Sequence, residues 1–258
     1  MASFAVILPA AGKSNRFSSG NKKPFVDLKG RAVWIRAAEA FVNRDDVVQT
    51  LVVVAEEDLE DFKERFRANL AFMEVEIVVG GASRMESVAN ALNRVSDEAE
   101  FIAVHDAARP LVAEGWINEV FAAAVEHGAA IPAIPVNSTL KRGQADGTVE
   151  ATVSRDGLWA AQTPQVFRRE WLVDAFQRRG DLEATDESQL VEQLGHPVRL
   201  VPGWPMNLKI TTSADFEMAK TLLSAVPRDD PLARLHPFSE IDPRSVSNNG
   251  LDFGILDG

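Results

Sequence analysis

The 258-residue chain, with 46% hydrophobic and 25% charged side chains, has the composition of an ordinary globular protein and is long enough for one large domain. A formal net charge of -11 excludes a sequence-independent grip on nucleic acid, which depends on Lys and Arg neutralising phosphates. With no cysteine the chain has no disulfide framework, thiol nucleophile or thiolate metal site, and a reducing cytoplasm is the expected location.

In chain order, the first apolar run is Phe4 to Leu8, too short for a signal peptide and without a basic region before it, so it reads as a buried strand. No window approaches the roughly 20 apolar residues of a spanning helix, so a soluble protein without a membrane partner is expected. Further runs rich in Val and Ile lie at Thr50 to Ala55, Glu76 to Val79, Phe101 to His105, Ala129 to Pro135 and Val198 to Val201. They alternate with segments of helical period at Ala32 to Val42, Leu59 to Asn69, Ser87 to Val95 and Ala214 to Ala225, the last with Ser213 as its expected cap. Between the fourth and fifth runs, Ile117, Val120, Phe121, Ala124 and Val125 share one helical face, closed by Gly128 where a left-handed cap is needed. The alternation predicts an α/β fold, a Rossmann-like and mostly parallel sheet flanked by helices.

Two stretches interrupt the pattern. Over 137–159, Gly143, Asp146-Gly147 and Gly157 separate short β-favouring pieces and predict a β-arm protruding from the main sheet, of the kind that pairs two subunits. From Pro227 onward, four prolines and Ser-Asn-Asn-Gly sustain no period, which predicts a single domain over 1–226 and a flexible tail over 227–258.

The residues with chemical potential cluster after the strands. Pro9-Ala10-Ala11-Gly12-Lys13-Ser14-Asn15-Arg16 follows the first run, and Lys22-Lys23-Pro24 comes soon after. Small side chains there let backbone N–H groups converge on an anion, with Arg16 and Lys23 adding charge over the same phosphates. The spacing fits neither the three-glycine dinucleotide fingerprint nor a Walker loop, and a plain structural turn is the competing reading. Gly80-Gly81-Ala82-Ser83-Arg84-Met85-Glu86-Ser87 follows the third run and opens a helix. Paired glycines at that place suit close contact with a flat base, with a simple strand-to-helix turn as the alternative. His105-Asp106-Ala107-Ala108-Arg109-Pro110 places a carboxylate and a guanidinium at another strand end, as a ligand site or a structural salt bridge. Later candidates are Thr139 and Arg155 in the arm, Gln162-Thr163-Pro164-Gln165, Thr185-Asp186-Glu187 with Thr185 as a helix cap, and Asn207-Leu208-Lys209-Ile210-Thr211. Lys209 sits in an apolar stretch and needs a carboxylate or a ligand phosphate.

Across roughly Phe4 to Ser224 these ordered motifs resemble the 2-C-methyl-D-erythritol 4-phosphate cytidylyltransferase family. The resemblance implies the nucleotide-diphospho-sugar transferase type of fold and a step of non-mevalonate isoprenoid synthesis. CTP and methylerythritol phosphate would give cytidine diphospho-methylerythritol and pyrophosphate, with Mg²⁺ held mainly by the CTP phosphates and no direct protein ligand assigned. Carried over residue by residue, it makes Arg16 and Lys23 transition-state stabilisers at the CTP phosphates, beside the backbone of Pro9, Ala10, Ala11 and Gly12. Gly80 and Ser87 would hold the cytosine. Asp106, Ala107, Arg109, Thr163, Thr185 and Lys209 would line the acceptor site, with Thr139 and Arg155 reaching in from the partner of a homodimer. Arg155 and Lys209 would act on the incoming phosphate. Ser14 stands where the family's turn has a second glycine, and the tail has no family counterpart.

A phosphate monoester acceptor is largely dianionic at neutral pH, so no general base is required and catalysis reduces to positioning and charge neutralisation. Ribitol 5-phosphate is the alternative acceptor, with Ala108 favouring methylerythritol phosphate. A non-catalytic nucleotide-binding regulator of the same fold is a second alternative. A dinucleotide oxidoreductase is disfavoured by the glycine spacing.

Overall fold

Strand β1 (Phe4–Pro9) lies at the heart of the sheet, and its side chains alternate between two cores: Phe4, Val6 and Leu8 enter one, Ile7 the other. A strand covered on both faces has no polar side, which is why this run is apolar throughout. The computed structural model describes residues 1–12, 23–182 and 184–227.

After a tight turn at Lys23–Phe25, a minimal hairpin of β2 (Asp27–Leu28) and β3 (Arg31–Ala32) leads into α1 (Val33–Glu39). Then follow β4 (Val47–Val54), α2 (Leu59–Phe72), β5 (Val75–Val79), α3 (Arg84–Leu92), β6 (Phe101–Val104), α4 (Glu114–His127) and β7 (Ala129–Pro135). The hairpin β8 (Leu140–Gly143) and β9 (Val149–Val153) forms a small sheet of its own. The chain continues through β10 (Trp159–Ala161), β11 (Gln165–Arg168), α5 (Arg169–Arg178), α6 (Glu187–Gln193), β12 (Arg199–Pro202) and α7 (Ser213–Leu222). Residues Met1–Val226 make one compact unit.

The main sheet runs β10-β7-β11-β6-β1-β4-β5, with β12 also beside β7. β6, β1, β4 and β5 are mutually parallel, and β11 runs antiparallel between β6 and β7. Trp34, Phe62, Phe66, Ile117, Val120 and Phe121, from α1, α2 and α4, fill one core, where aromatic rings cluster. Met85, Val88, Leu172, Leu190 and Val191, from α3, α5 and α6, fill the other. A third cluster joins Leu28, Val33 and Leu111 to Ile210 and Phe216, tying α7 to the entry of α1.

The expected parallel sheet and its flanking helices are present, and six strands fall on the six apolar runs. Two further strands, β10 and β11, lie where the sequence reading placed the end of the arm and a polar motif. Trp159 pairs with Pro135 in the main sheet rather than belonging to the hairpin. The cap of α7 is Thr212 rather than Ser213: its hydroxyl accepts from the Asp215 N–H at 3.2 Å, and the Asp215 carboxylate accepts from the Thr212 N–H at 2.7 Å, a reciprocal box. Val125, expected on the inner face of α4, is 42% exposed. Gly128 does close α4 at φ +87, and the Trp171 ring lies 2.2 Å from where a Cβ would stand, so conformation and packing both demand glycine. All but the first residue of the expected tail lies outside the described residues.

Candidate active site

The loops leaving the carboxyl ends of β1, β4, β5 and β6 open onto one cleft of about 700 Å³, closed on a further side by Lys209, Ile210 and Thr211. Ligands of open α/β sheets bind at this edge, because backbone groups released by the strands and helix N-termini converge there. The first and third loops touch only because Gly80 has no side chain. A Cβ there would stand 2.7 Å from Ala11 Cβ and 2.9 Å from Ser87 Oγ. The turn is then stitched from within: Gly81 N–H donates to Ser87 Oγ at 3.1 Å, Ser87 Oγ–H to the Ser83 carbonyl at 2.8 Å, and Ala82 N–H to the Glu86 carboxylate at 2.7 Å. Ser83 caps α3 by accepting from the Glu86 N–H. The result is a flat, small-residue wall with its backbone held rigid.

Charge gathers opposite this wall. Asp106, 6% exposed, meets Lys209 Nζ at 2.9 Å, Arg84 Nη2 at 3.4 Å and Arg109 Nε at 3.5 Å. Burial alone would raise this carboxyl, but Lys209, Arg84 and Arg109 together hold it well below the usual carboxylate range. Arg84 turns its fork to Glu187, with contacts of 2.6 and 3.0 Å.

Beneath the cluster lies a polar framework. His105 is fully buried, and desolvation lowers it to about 4, so the ring is neutral near pH 7. Thr163 Oγ1 accepts from the Asp106 N–H at 3.1 Å and donates to His105 Nδ1 at 3.1 Å. The ring proton therefore sits on Nε2, which donates to the Arg109 carbonyl at 3.0 Å. The Asn207 side-chain amide donates to the Thr163 carbonyl at 2.8 Å while the Asn207 backbone carbonyl accepts from Arg109 at 2.6 Å. Gln162 binds both the N–H and the carbonyl of Trp204, and Gln165 binds the Ser188 N–H and Asp186. The Gln-Thr-Pro-Gln motif thus ties three separate segments to the sheet.

Of the sequence candidates, Pro9, Ala10, Ala11, Gly12, Gly80, Ser87, Asp106 and Lys209 line the one cleft. Arg109 stands behind Asp106, Ala107 is buried in the core below, and Thr163 lies under the loop with its hydroxyl engaged. Thr185 is exposed before α6, its N–H and hydroxyl directed to the Gln189 side chain. The cap of α6 is Asp186, which accepts from the Gln189 N–H at 3.1 Å, so the expected capping role of Thr185 moves one residue on. Thr139 and Arg155 are exposed on either side of the β8–β9 hairpin, outside the cleft lining, with Arg155 donating to the Asn137 carbonyl. Arg16 and Ser14 lie outside the described residues, as does the Lys23 side chain, whose backbone opens the turn at Lys23–Phe25. Sequence reasoning gave no role to His105, Arg84, Glu187 or Asn207. A charged residue at the first position of a helix was the one available signal for Arg84 and Glu187.

A parallel α/β sheet with a backbone-walled turn for a nucleotide, facing cations gathered around the buried Asp106 and suited to phosphate, defines a nucleotidyltransferase. The model of the 2-C-methyl-D-erythritol 4-phosphate cytidylyltransferase family matches residues 4–225. A protein of that description from Rhodopirellula baltica is 42% identical over 86% of this chain and 96% of its own length. One from Symbiobacterium thermophilum is 42% identical over 85% and 92%. The crystal structure of the Thermus thermophilus protein of the same description superposes with a TM-score of 0.67 at 31% identity, covering 84% of this chain and 98% of that one. The chain belongs to the 2-C-methyl-D-erythritol 4-phosphate cytidylyltransferase family, and it is a CTP-dependent enzyme. Among the described residues, no helix is long and apolar enough to cross a membrane, and no group of three or more His, Asp and Glu side chains is placed to hold a metal ion.

Proposed function

We propose that the chain joins CTP and 2-C-methyl-D-erythritol 4-phosphate, giving 4-diphosphocytidyl-2-C-methyl-D-erythritol and pyrophosphate, in the cytoplasm and within non-mevalonate isoprenoid synthesis. The observation that carries this reading is the meeting, in one cleft, of the Gly80–Ser87 turn and the Asp106–Lys209 cluster. An acceptor phosphate oxygen attacks the α-phosphorus of CTP, a new P–O bond forms, and the bond to the β-phosphate oxygen breaks.

No proton need be removed from a dianionic acceptor, and the one histidine in the framework is neutral with both nitrogens engaged. Catalysis then falls to charge. Among the described residues, Arg84, Arg109 and Lys209 face the two carboxylates Asp106 and Glu187, which leaves an excess of positive charge for the acceptor phosphate. Pro9, Ala10, Ala11 and Gly12 lie beside the triphosphate, where Arg16 and Lys23 stabilise the transition state. Gly80 and Ser87 receive the cytosine. Asp106, Ala107, Arg109, Thr163, Thr185 and Lys209 form the acceptor side. In a homodimer, Thr139 and Arg155 of the hairpin segment complete the partner's site.

Asp106 is already matched by three cations, so the described side chains suit a Mg²⁺ that arrives on the triphosphate rather than one caged by protein. When bound, that ion offsets charge on the phosphates.

Pyrophosphate release from purified protein with CTP and Mg²⁺ tests the reading. Release with methylerythritol phosphate is expected. Release only with ribitol 5-phosphate would move the assignment to that acceptor, and release with neither would leave a nucleotide-binding protein.

A further inference from the structure

Glu187 opens α6 fully buried, does not line the cleft, and touches neither substrate side of the transfer directly. A carboxylate withdrawn from water needs a partner, and this one has the best that a side chain offers: the two-pronged grip on Arg84 at 2.6 and 3.0 Å. Arg84 is the first residue of α3, directly after the Gly80–Ser83 turn and one turn ahead of Ser87. Its remaining contact, at 3.4 Å, is to Asp106, which itself meets Lys209 at 2.9 Å. The series Glu187, Arg84, Asp106, Lys209 therefore runs from α6 past the nucleotide wall to the acceptor side.

Arg84 stands between two carboxylates, and which of them holds it decides how much of Asp106 is left for other partners. α6 is fixed independently of the ion pair, by the Asp186 cap and by Gln165 binding both Ser188 N–H and Asp186. Glu187 thus offers its carboxylate from a rigid base. We infer that Glu187 is a positioning residue: it keeps the Arg84 fork turned to itself, so that Arg84 reaches Asp106 through a single 3.4 Å contact and the rest of that carboxylate is left to Lys209, Arg109 and the acceptor, and it fixes the first turn of α3 against the nucleotide wall. The inference rests on the acceptor role proposed for Asp106 and Lys209.

Glu187→Gln keeps the shape and removes the charge, so Arg84 relaxes onto Asp106. The KM for methylerythritol phosphate should rise about tenfold or more, with kcat and the KM for CTP moving by less than about threefold. Arg84→Lys, which keeps the charge but loses the fork, should raise the same KM. Because Glu187 acts only through Arg84, the double variant Arg84→Gln/Glu187→Gln should match Arg84→Gln alone within about twofold. It also removes both charges together and so guards against a single variant that fails to fold. An unchanged acceptor KM in folded Glu187→Gln, or penalties that multiply in the double variant, would overturn the inference. Lys209→Ala separates the two levels. If it leaves the acceptor KM unchanged, the site reading itself fails. If it raises that KM while Glu187→Gln does not, only the role of Glu187 fails.

Discussion

Gly80 is needed for the space it leaves rather than for its backbone angle. Placing a methyl group there drives Ala11 and Ser87 apart, since neither a backbone-anchored methyl nor a hydroxyl tied at both ends can swing aside. Gly80→Ala is therefore expected to raise the KM for CTP at least tenfold while costing about 1–3 kcal/mol of stability, the usual toll of overpacking. Steady-state kinetics beside urea unfolding checks this, and an unaltered CTP KM would remove Gly80 from the nucleotide wall. His105 gives a prediction in pH. The folded ring is lowered to about 4 from an ordinary 6.5, so below pH 6.5 the unfolded chain binds a proton that the native state refuses. Its contribution is whole above that pH and is lost as pH falls toward 4, by at most about 3 kcal/mol. Burial pushes Glu187 up, which gives an opposite slope above its own ordinary range. The stability difference between the parent and His105→Gln isolates the imidazole: it should shrink steadily from pH 7 to pH 4, and a difference independent of pH would mean the ring titrates normally.

At the scale of elements, α6 shows how the site depends on a short helix. Asp186 both caps it and takes the Gln165 amide, so Asp186→Ala should cost about 1–2 kcal/mol in thermal or urea unfolding. It should also loosen Glu187 and raise the acceptor KM. Thr185→Ala, whose hydroxyl makes only a 3.4 Å contact to Gln189, should cost less than about 0.5 kcal/mol, and equal losses would refute the assignment of the cap. The same elements mark what the sequence could disclose. Strands β1 and β6 and the second half of β4 were legible because both faces are buried, leaving apolar runs. β11 was not, since only Val166 and Phe167 of its four residues are apolar and its place between β6 and β7 comes from long-range pairing. The glycine turns were legible because close approach of backbones limits the residue type. The Arg84–Glu187 pair joins residues 103 apart, and no local pattern encodes such a contact. Asp186 and Thr212 were each displaced by one position because Thr185 and Ser213 carry an equally competent hydroxyl, and only backbone geometry chooses between neighbours.

For the whole molecule, charge is distributed against its own function: a chain of net charge -11 must admit two polyanions. The fold resolves this by gathering Arg84, Arg109 and Lys209 at the ends of parallel strands, where Asp106 and Glu187 only partly offset them. The repulsion acts over the whole surface, and the attraction acts at contact. Added salt screens the first before the second, because the Debye length shrinks from ~30 Å at 0.01 M to ~10 Å at 0.1 M and ~3 Å at 1 M. The KM for CTP at constant free Mg²⁺ should accordingly fall or hold level from 0.01 to 0.1 M salt, then rise toward 1 M as the contacts in the cleft are themselves screened. A KM that climbs steadily from the lowest salt would mean that the cationic cluster governs the field even at long range, with the acidic surface playing no part in substrate entry.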